Sequence, residues 1–239
     1  MRDDKEKTCT ASLNAQLKGL MNYTWGMNFA QCLELVRQGA DIDCGAANGV
    51  TLLMRAARSG EANVLKDIID AGARLDVKED AGCTAIHYAV YGDSPQCIDT
   101  LVAAGADVNQ GDMNNYTPLM SAARYSPPDV VTKLLECGAQ TDIKDVDGLT
   151  ALIKGCLRIN NIKVLLAHGA DMDVRTHEGL SFEDYLDGAD PSYIASLAAL
   201  FQQERAHRTT KAFQDASAKG TSTSRRIIRK RMGAGYHAK

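Results

Sequence analysis

Apolar residues along this chain fall into two alternating kinds of short cluster, separated by polar turns. One kind has helical spacing with a single apolar face, as in Val64, Leu65, Ile68 and Ile69, and again in Val130, Val131, Leu134 and Leu135. The other opens on a threonine and runs into small residues, as in Thr51-Leu-Leu-Met followed by Ala56-Ala57, and Thr117-Pro-Leu-Met followed by Ala122-Ala123. A threonine before an apolar run predicts a helix start whose orphan N–H groups it can cap, and Pro or Ala next suits the first turn. The alanine pairs allow close helix approach. Each amphipathic cluster ends at Gly-Ala, where glycine can adopt the left-handed conformation that stops a helix. The pattern predicts pairs of short helices, each pair too small to bury its own apolar face and stable only when stacked on neighbours.

The pairs repeat with a fixed period. Thr51, Thr84, Thr117 and Thr150 stand 33 residues apart, and so do Gly39, Gly72, Gly105 and Gly138. Around the threonines the phrases Gly49-Val-Thr-Leu-Leu-Met, Gly82-Cys-Thr-Ala-Ile-His, Asn115-Tyr-Thr-Pro-Leu-Met and Gly148-Leu-Thr-Ala-Leu-Ile recur. After the glycines come Gly39-Ala-Asp-Ile-Asp, Gly72-Ala-Arg-Leu-Asp, Gly105-Ala-Asp-Val-Asn and Gly138-Ala-Gln-Thr-Asp. This text resembles the ankyrin repeat, whose period and Thr-Pro-Leu-His signature match most fully at Thr84–His87 and Thr117–Met120. The resemblance implies an all-α solenoid of about six helix-turn-helix units with short β-hairpin fingers, followed by a flexible C-terminal tail.

The expected units are about 13–45, 46–78, 79–111, 112–144, 145–175 and 176–205, within a repeat domain of residues 11–205. Residues 1–10 are an expected N-terminal tail and 206–239 an expected basic, disordered tail. One period before Thr51 lies Lys18, with Leu20 and Met21 in the Leu and His slots, so the first unit is degenerate and serves as a cap. The next Gly-Ala, Gly169-Ala170, comes 31 residues after Gly138, which makes the fifth unit two residues short near Leu157–Asn161. The sixth opens at Gly179-Leu-Ser181, with a last helix from Pro191 to about Arg205, and places Glu183 where a buried Leu would stand.

Composition changes this picture in two places. The net charge of −3 conceals a basic end: residues 205–239 hold ten Lys/Arg against one acid, Asp215, and the remainder holds 17 basic and 29 acidic side chains. The seven cysteines form no Cys-x-x-Cys pair, which argues against a disulfide framework or zinc knuckle and for free thiols in a reducing compartment. No apolar run approaches the length of a membrane span, and the charged start predicts no secretory signal. The expected location is cytoplasmic, with the nucleus as a second site.

Candidate chemistry is sparse. His87 fills the signature histidine slot, whose implied role is structural hydrogen bonding near Thr84; Met54, Met120 and Ile153 fill it elsewhere. Cys156 aligns with Ala57, Val90 and Ala123 in a packing slot, while Cys83 and Cys137 are the thiols expected nearer the surface. His168, Asp171, Asp173 and His177 follow the repeat and not a metal-ligand pattern. We expect no catalytic residue, no metal and no cofactor.

Recognition is the expected function. The resemblance implies a concave surface made by the fingers and the inner face of the first helices. Positions seven and eight after each threonine then form two rows: Trp25, Arg58, Tyr91, Arg124 and Leu157, beside Gly26, Ser59, Gly92, Tyr125 and Arg158. Tyr116 joins from a finger, with Asn48, Val50, Met113, Leu149 and His177 as a rim. Trp, Tyr and Arg are the residues that dominate binding hot spots. The partner-binding candidates are therefore Trp25, Arg58, Tyr91, Tyr116, Arg124, Tyr125 and Arg158. In the tail, Arg225, Arg226, Arg229, Lys230 and Arg231 read as a nuclear-import sequence or as a contact for nucleic acid or anionic lipid. The expectation is an adaptor, monomeric alone, binding a protein in its groove. Its alternatives are a regulatory or inhibitory subunit of an enzyme or transcription factor, and a secreted effector or viral protein acting on a host protein.

Overall fold

The computed structural model describes residues 2–22 and 27–218. The chain divides into two units, Met1–Asp187 and Gly188–Lys239. In the first, helices α1 (Arg2–Met21) and α2 (Phe29–Arg37) precede four pairs: α3 (Leu52–Ser59) with α4 (Ala62–Asp70), α5 (Ala85–Tyr91) with α6 (Pro95–Ala103), α7 (Pro118–Tyr125) with α8 (Pro128–Glu136), and α9 (Ala151–Lys154) with α10 (Ile159–Ala167). A short 3-10 turn, Glu183–Leu186, follows. First helices stack in the order α3, α5, α7, α9, and second helices in the order α4, α6, α8, α10. The core lies between the two layers, where Leu52, Leu53, Ile86, Ile98, Leu101 and Leu119 are fully buried.

The recurring phrases explain the stacking. Thr51 Oγ1 accepts from the N–H of Met54 at 3.4 Å, and Thr117 Oγ1 from that of Met120 at 3.3 Å. In return each methionine Sδ lies 3.4 Å from the threonine N–H. Each second helix ends in a left-handed glycine; at Gly72, φ is +96° and the next N–H, of Ala73, reaches back to the Ile68 carbonyl, closing the helix as such caps do. In the Asp-x-Asp/Asn phrase, the last side chain ties adjacent repeats. Asp43, Asn109 and Asp142 accept from the N–H groups of Arg74, Gln140 and Asp171 at 3.0, 2.8 and 3.1 Å.

The fingers differ from the expected β-hairpins: no strand occurs among the described residues. Each is a tight turn closed on itself, such as the Asp112 N–H to the Tyr116 carbonyl, 3.2 Å. It is joined to the next by one backbone bond, as from Asp80 to Asn48, Met113 to Ala81, Val146 to Asn114 and His177 to Asp147. One backbone bond per junction forms no ladder, and side-chain bonds such as Asn115 Nδ2 to the Lys144 carbonyl at 2.6 Å and Lys144 Nζ to the Arg175 carbonyl at 2.8 Å help hold the spacing.

The ends also depart from expectation. Residues 2–10, expected as a tail, are the first half of α1, so Lys18 lies near the end of a helix and does not start one. The expected sixth unit, 176–205, is cut by the boundary after Asp187, which leaves six stacked units unsupported. In the second unit, α11 (Pro191–Ala218) carries helix well past Arg205, so residues 206–218 are not tail. Asp190 starts this helix by accepting from the N–H groups of Ser192 and Tyr193 at 2.8 and 3.3 Å. The Ser192 hydroxyl, which also donates to this carboxylate, holds it below the usual range together with those two N–H groups.

His87 makes the structural hydrogen bond to Thr84 that the family resemblance implied, and it also reaches the next repeat. Its Nδ1 accepts the Thr84 N–H at 3.2 Å, which leaves the proton on Nε2 to donate to the Tyr116 carbonyl at 3.1 Å. The ring is fully buried, and burial pushes its pKa below 6.5. A histidine that resists protonation only when folded makes the unfolded chain the better proton binder at low pH. Its contribution is intact above 6.5 and is lost as the pH falls below that value. His87→Met, which copies the residue at 54 and 120, should flatten the fall in melting temperature between about pH 7 and 5. Equal slopes for wild type and variant would refute this linkage.

Candidate functional site

Of the predicted rows, the structure draws together the later members. Helix α7 presents Arg124 and Tyr125 at its last turn, with the Arg124 guanidinium carbon 5.2 Å from the Tyr125 ring centre. Both line a cleft of about 740 Å³, and Leu157 and Arg158 face it from the turn between α9 and α10. Leu149 and Ile153 form apolar wall, Tyr185 comes from the 3-10 turn, and Lys154 and Cys156 complete the lining. Tyr125 and Leu157 are 61% and 69% exposed, a large apolar area to leave in water.

The two missing residues of the fifth unit explain this opening. Helices α3 and α7 each have eight residues, whereas α9 has four. Its N-terminal chemistry is also weakened. Ile153 stands where Met54, His87 and Met120 accept the threonine N–H, and isoleucine has no acceptor. Thr150 Oγ1 is buried without a hydrogen-bond partner among the described residues. The register that placed Leu157 and Arg158 at a helix end therefore fails: Leu157 is a turn residue and Arg158 precedes the first residue of α10. They reach the cleft because the helix stops early.

Beneath the cleft is a nearly buried ion pair. Lys154 Nζ lies 2.6 Å from Asp145 Oδ2, the two side chains being 12% and 3% exposed. Asp145 Oδ1 also accepts the N–H groups of Asp147 and Leu149 at 3.0 and 2.8 Å, so the finger turn and the pair share one carboxylate. Lys154 Nζ sits 5.0 Å from the centre of the Tyr116 ring, a cation–π distance. Tyr116 is half-buried with its hydroxyl donating to the Met120 carbonyl at 3.4 Å, and burial pushes its pKa up to about 12. Tyr116 is thus a supporting residue behind Arg124 and Tyr125.

Arg58 and Tyr91 lie outside the cleft lining. Arg58 is exposed at the end of α3. Tyr91 is 46% exposed at the end of α5, in edge contact with Tyr88 at 5.6 Å. Its hydroxyl shares a hydrogen bond with Cys83 Sγ at 3.4 Å. Cys83, expected nearer the surface, is buried, which raises its thiol to about 11 and keeps it from forming thiolate. Gly92, placed in the docking row, is a packing residue: a Cβ there would stand 2.3 Å from the Arg58 carbonyl oxygen. Cys156, expected in a packing slot, is partly exposed at the cleft. Trp25 and the basic residues Arg225, Arg226, Arg229, Lys230 and Arg231 fall outside the described residues.

Sequence reasoning missed Lys154, Asp145 and Tyr185. A signal was available: the position four after each capping residue reads Arg55, Tyr88, Ser121, Lys154 and Tyr185, one turn before the chosen rows. Among the described residues, no group of three or more His, Cys, Asp or Glu could hold a metal ion.

With this geometry in view, the comparison with known families is decisive. The family model described as ankyrin repeats (3 copies) matches residues 20–112 and 109–176, more than half of the chain. The chain belongs to the ankyrin-repeat family. No curated protein matches the sequence. The matched region contains α2 to α10 and every cleft residue except Tyr185. An ankyrin array of this kind is a protein–protein interaction module. No helix of the described residues is long and apolar enough to cross a membrane.

Proposed function

We propose that this ankyrin protein is a non-enzymatic adaptor that docks a protein partner at the cleft beside α9, with its basic C-terminal segment acting in location or as a second contact. The observation that carries the reading is the exposure of Tyr125 and Leu157 next to Arg124 and Arg158 around one concavity. Aromatic and arginine side chains combine broad apolar faces with directed hydrogen bonds, and they supply most of the energy of protein interfaces. Arg58 and Tyr91 form an outlying part of the same surface.

The test is affinity purification of the full chain followed by mass spectrometry, repeated with Tyr125→Ala and Leu157→Ala. Each substitution should weaken the recovered partner by about 1–2 kcal/mol, roughly tenfold or more. Exposed side chains carry little stability, so the melting temperature should barely move. A large loss of stability with unchanged affinity would assign both residues to packing and reject the docking role. A truncation after Ala218 keeps α11 whole, and comparing its cellular location and partners with those of the full chain isolates the tail's contribution.

A further inference from the structure

The cleft inverts the charge of the body around it. Outside residues 205–239 the chain carries 17 basic and 29 acidic side chains, yet the three charged residues lining the cleft are Arg124, Lys154 and Arg158. Lys154 is satisfied by Asp145. Among the described residues neither arginine has a carboxylate partner. Two guanidinium groups beside an exposed Tyr and Leu therefore wait on an acidic body.

We infer that the cleft takes an acidic peptide segment of the partner protein, with an Asp or Glu carboxylate held by Arg124 and Arg158 and a neighbouring apolar side chain against Tyr125 and Leu157. This rests on the docking role proposed above and names the chemistry of what docks. Guanidinium matches carboxylate with two parallel hydrogen bonds, a fit that lysine lacks. The acidic remainder of the body repels such a segment and steers it toward this positive concavity. The same charges disfavour this protein's own basic residues 225–231 as the occupant.

The experiment is selection of a random-sequence peptide display library on the full chain, followed by binding of the enriched peptides, made synthetically, to Arg124→Gln, Arg158→Gln and an off-cleft control, Arg74→Gln, at an exposed residue outside the docking rows. Enriched sequences should place Asp or Glu beside Leu, Ile, Phe or Met. Their affinity should fall about tenfold in each cleft variant, hold in the control, and weaken as salt is raised. All three arginines are exposed, so melting curves should coincide and losses report binding. Acidic peptides that bind the cleft variants and wild type equally overturn the assignment. Neutral or basic peptides whose binding is lost in Tyr125→Ala overturn the acidic chemistry and leave the docking role standing. A selection that enriches nothing overturns both.

Discussion

Asp145→Ala should cost about 3–5 kcal/mol of stability, the largest loss expected from any single substitution around the cleft. The carboxylate is 3% exposed and has three donors. Removing it leaves the Lys154 ammonium, 12% exposed, without its counter-charge. It also strips the finger turn of the acceptor for the Asp147 and Leu149 N–H groups. For a chain of this size the melting temperature should drop by roughly 10 °C. The cause can be isolated with the double variant Asp145→Asn/Lys154→Met. Asparagine keeps an oxygen for the turn, methionine fills the lysine stem's volume, and no charge remains buried. That variant should return to within about 1–2 kcal/mol of wild type, because replacing a buried pair costs far less than breaking one. If Asp145→Ala melts with the wild type, the pair is a bystander and the cleft floor is held by packing alone.

Asn161→Leu should destabilise by about 2–3 kcal/mol. Asn161 is buried in α10, and its amide nitrogen faces the carbonyls of Ala122, Ala123 and Ser126 at 3.4, 3.0 and 3.0 Å. The Ala122 carbonyl already accepts the Ser126 N–H at 3.0 Å, whereas Ala123 and Ser126 lie at the end of α7, where carbonyls lack a partner within the helix. Leucine matches the volume and provides no donor, so the loss reports the hydrogen bonds and not a cavity. Asn161→Asp offers a second readout of opposite pH sense. A carboxylate facing carbonyls is raised in pKa when folded, so this variant should gain stability as the pH falls and the protonated acid becomes a donor. A variant without that gain would show that the amide does not cap α7. Since α7 ends in Arg124 and Tyr125, the same cap holds the cleft's leading side chains in place.

The regular part of the fold was legible because each repeat carries its own local instructions. Thr51 and Thr117 cap the helices they precede, Gly72 ends the helix before it, and Asp43 ties to the next repeat, all through short-range geometry that recurs with the period. Where the period slipped, extrapolation failed. Lys18 was one period before Thr51, but with no capping threonine there α1 continues through it to Met21. At the far end nothing in the Arg205–Ala218 text stops a helix: it holds neither Gly nor Pro, and Arg208 pairs with Glu204 at 2.9 Å one turn earlier. Composition alone had marked this stretch as tail.

The candidate site was legible only in part. Arg124 and Tyr125 follow a regular register, and the structure places them where the period predicts. Arg158 reaches the cleft for a different reason from the one its spacing suggested, and Lys154, Asp145 and Tyr185 were overlooked. A period reports equivalent positions and is blind to what a deletion brings into contact.

By itself the sequence determined that this protein is a stack of paired helices, because the capping, helix-ending and repeat-joining residues act within or between adjacent units and need no distant partner. Only the tertiary structure decided where its surface opens. Two residues lost from the fifth unit shorten α9 to Ala151–Lys154, and the consequences appear in side chains of the fourth and fifth repeats. Lys154 turns inward to Asp145, Asn161 reaches back to α7, and Leu157 and Arg158 swing to face Arg124. Those contacts depend on how neighbouring units close around a missing half-turn, a property of packing in three dimensions that no single repeat encodes.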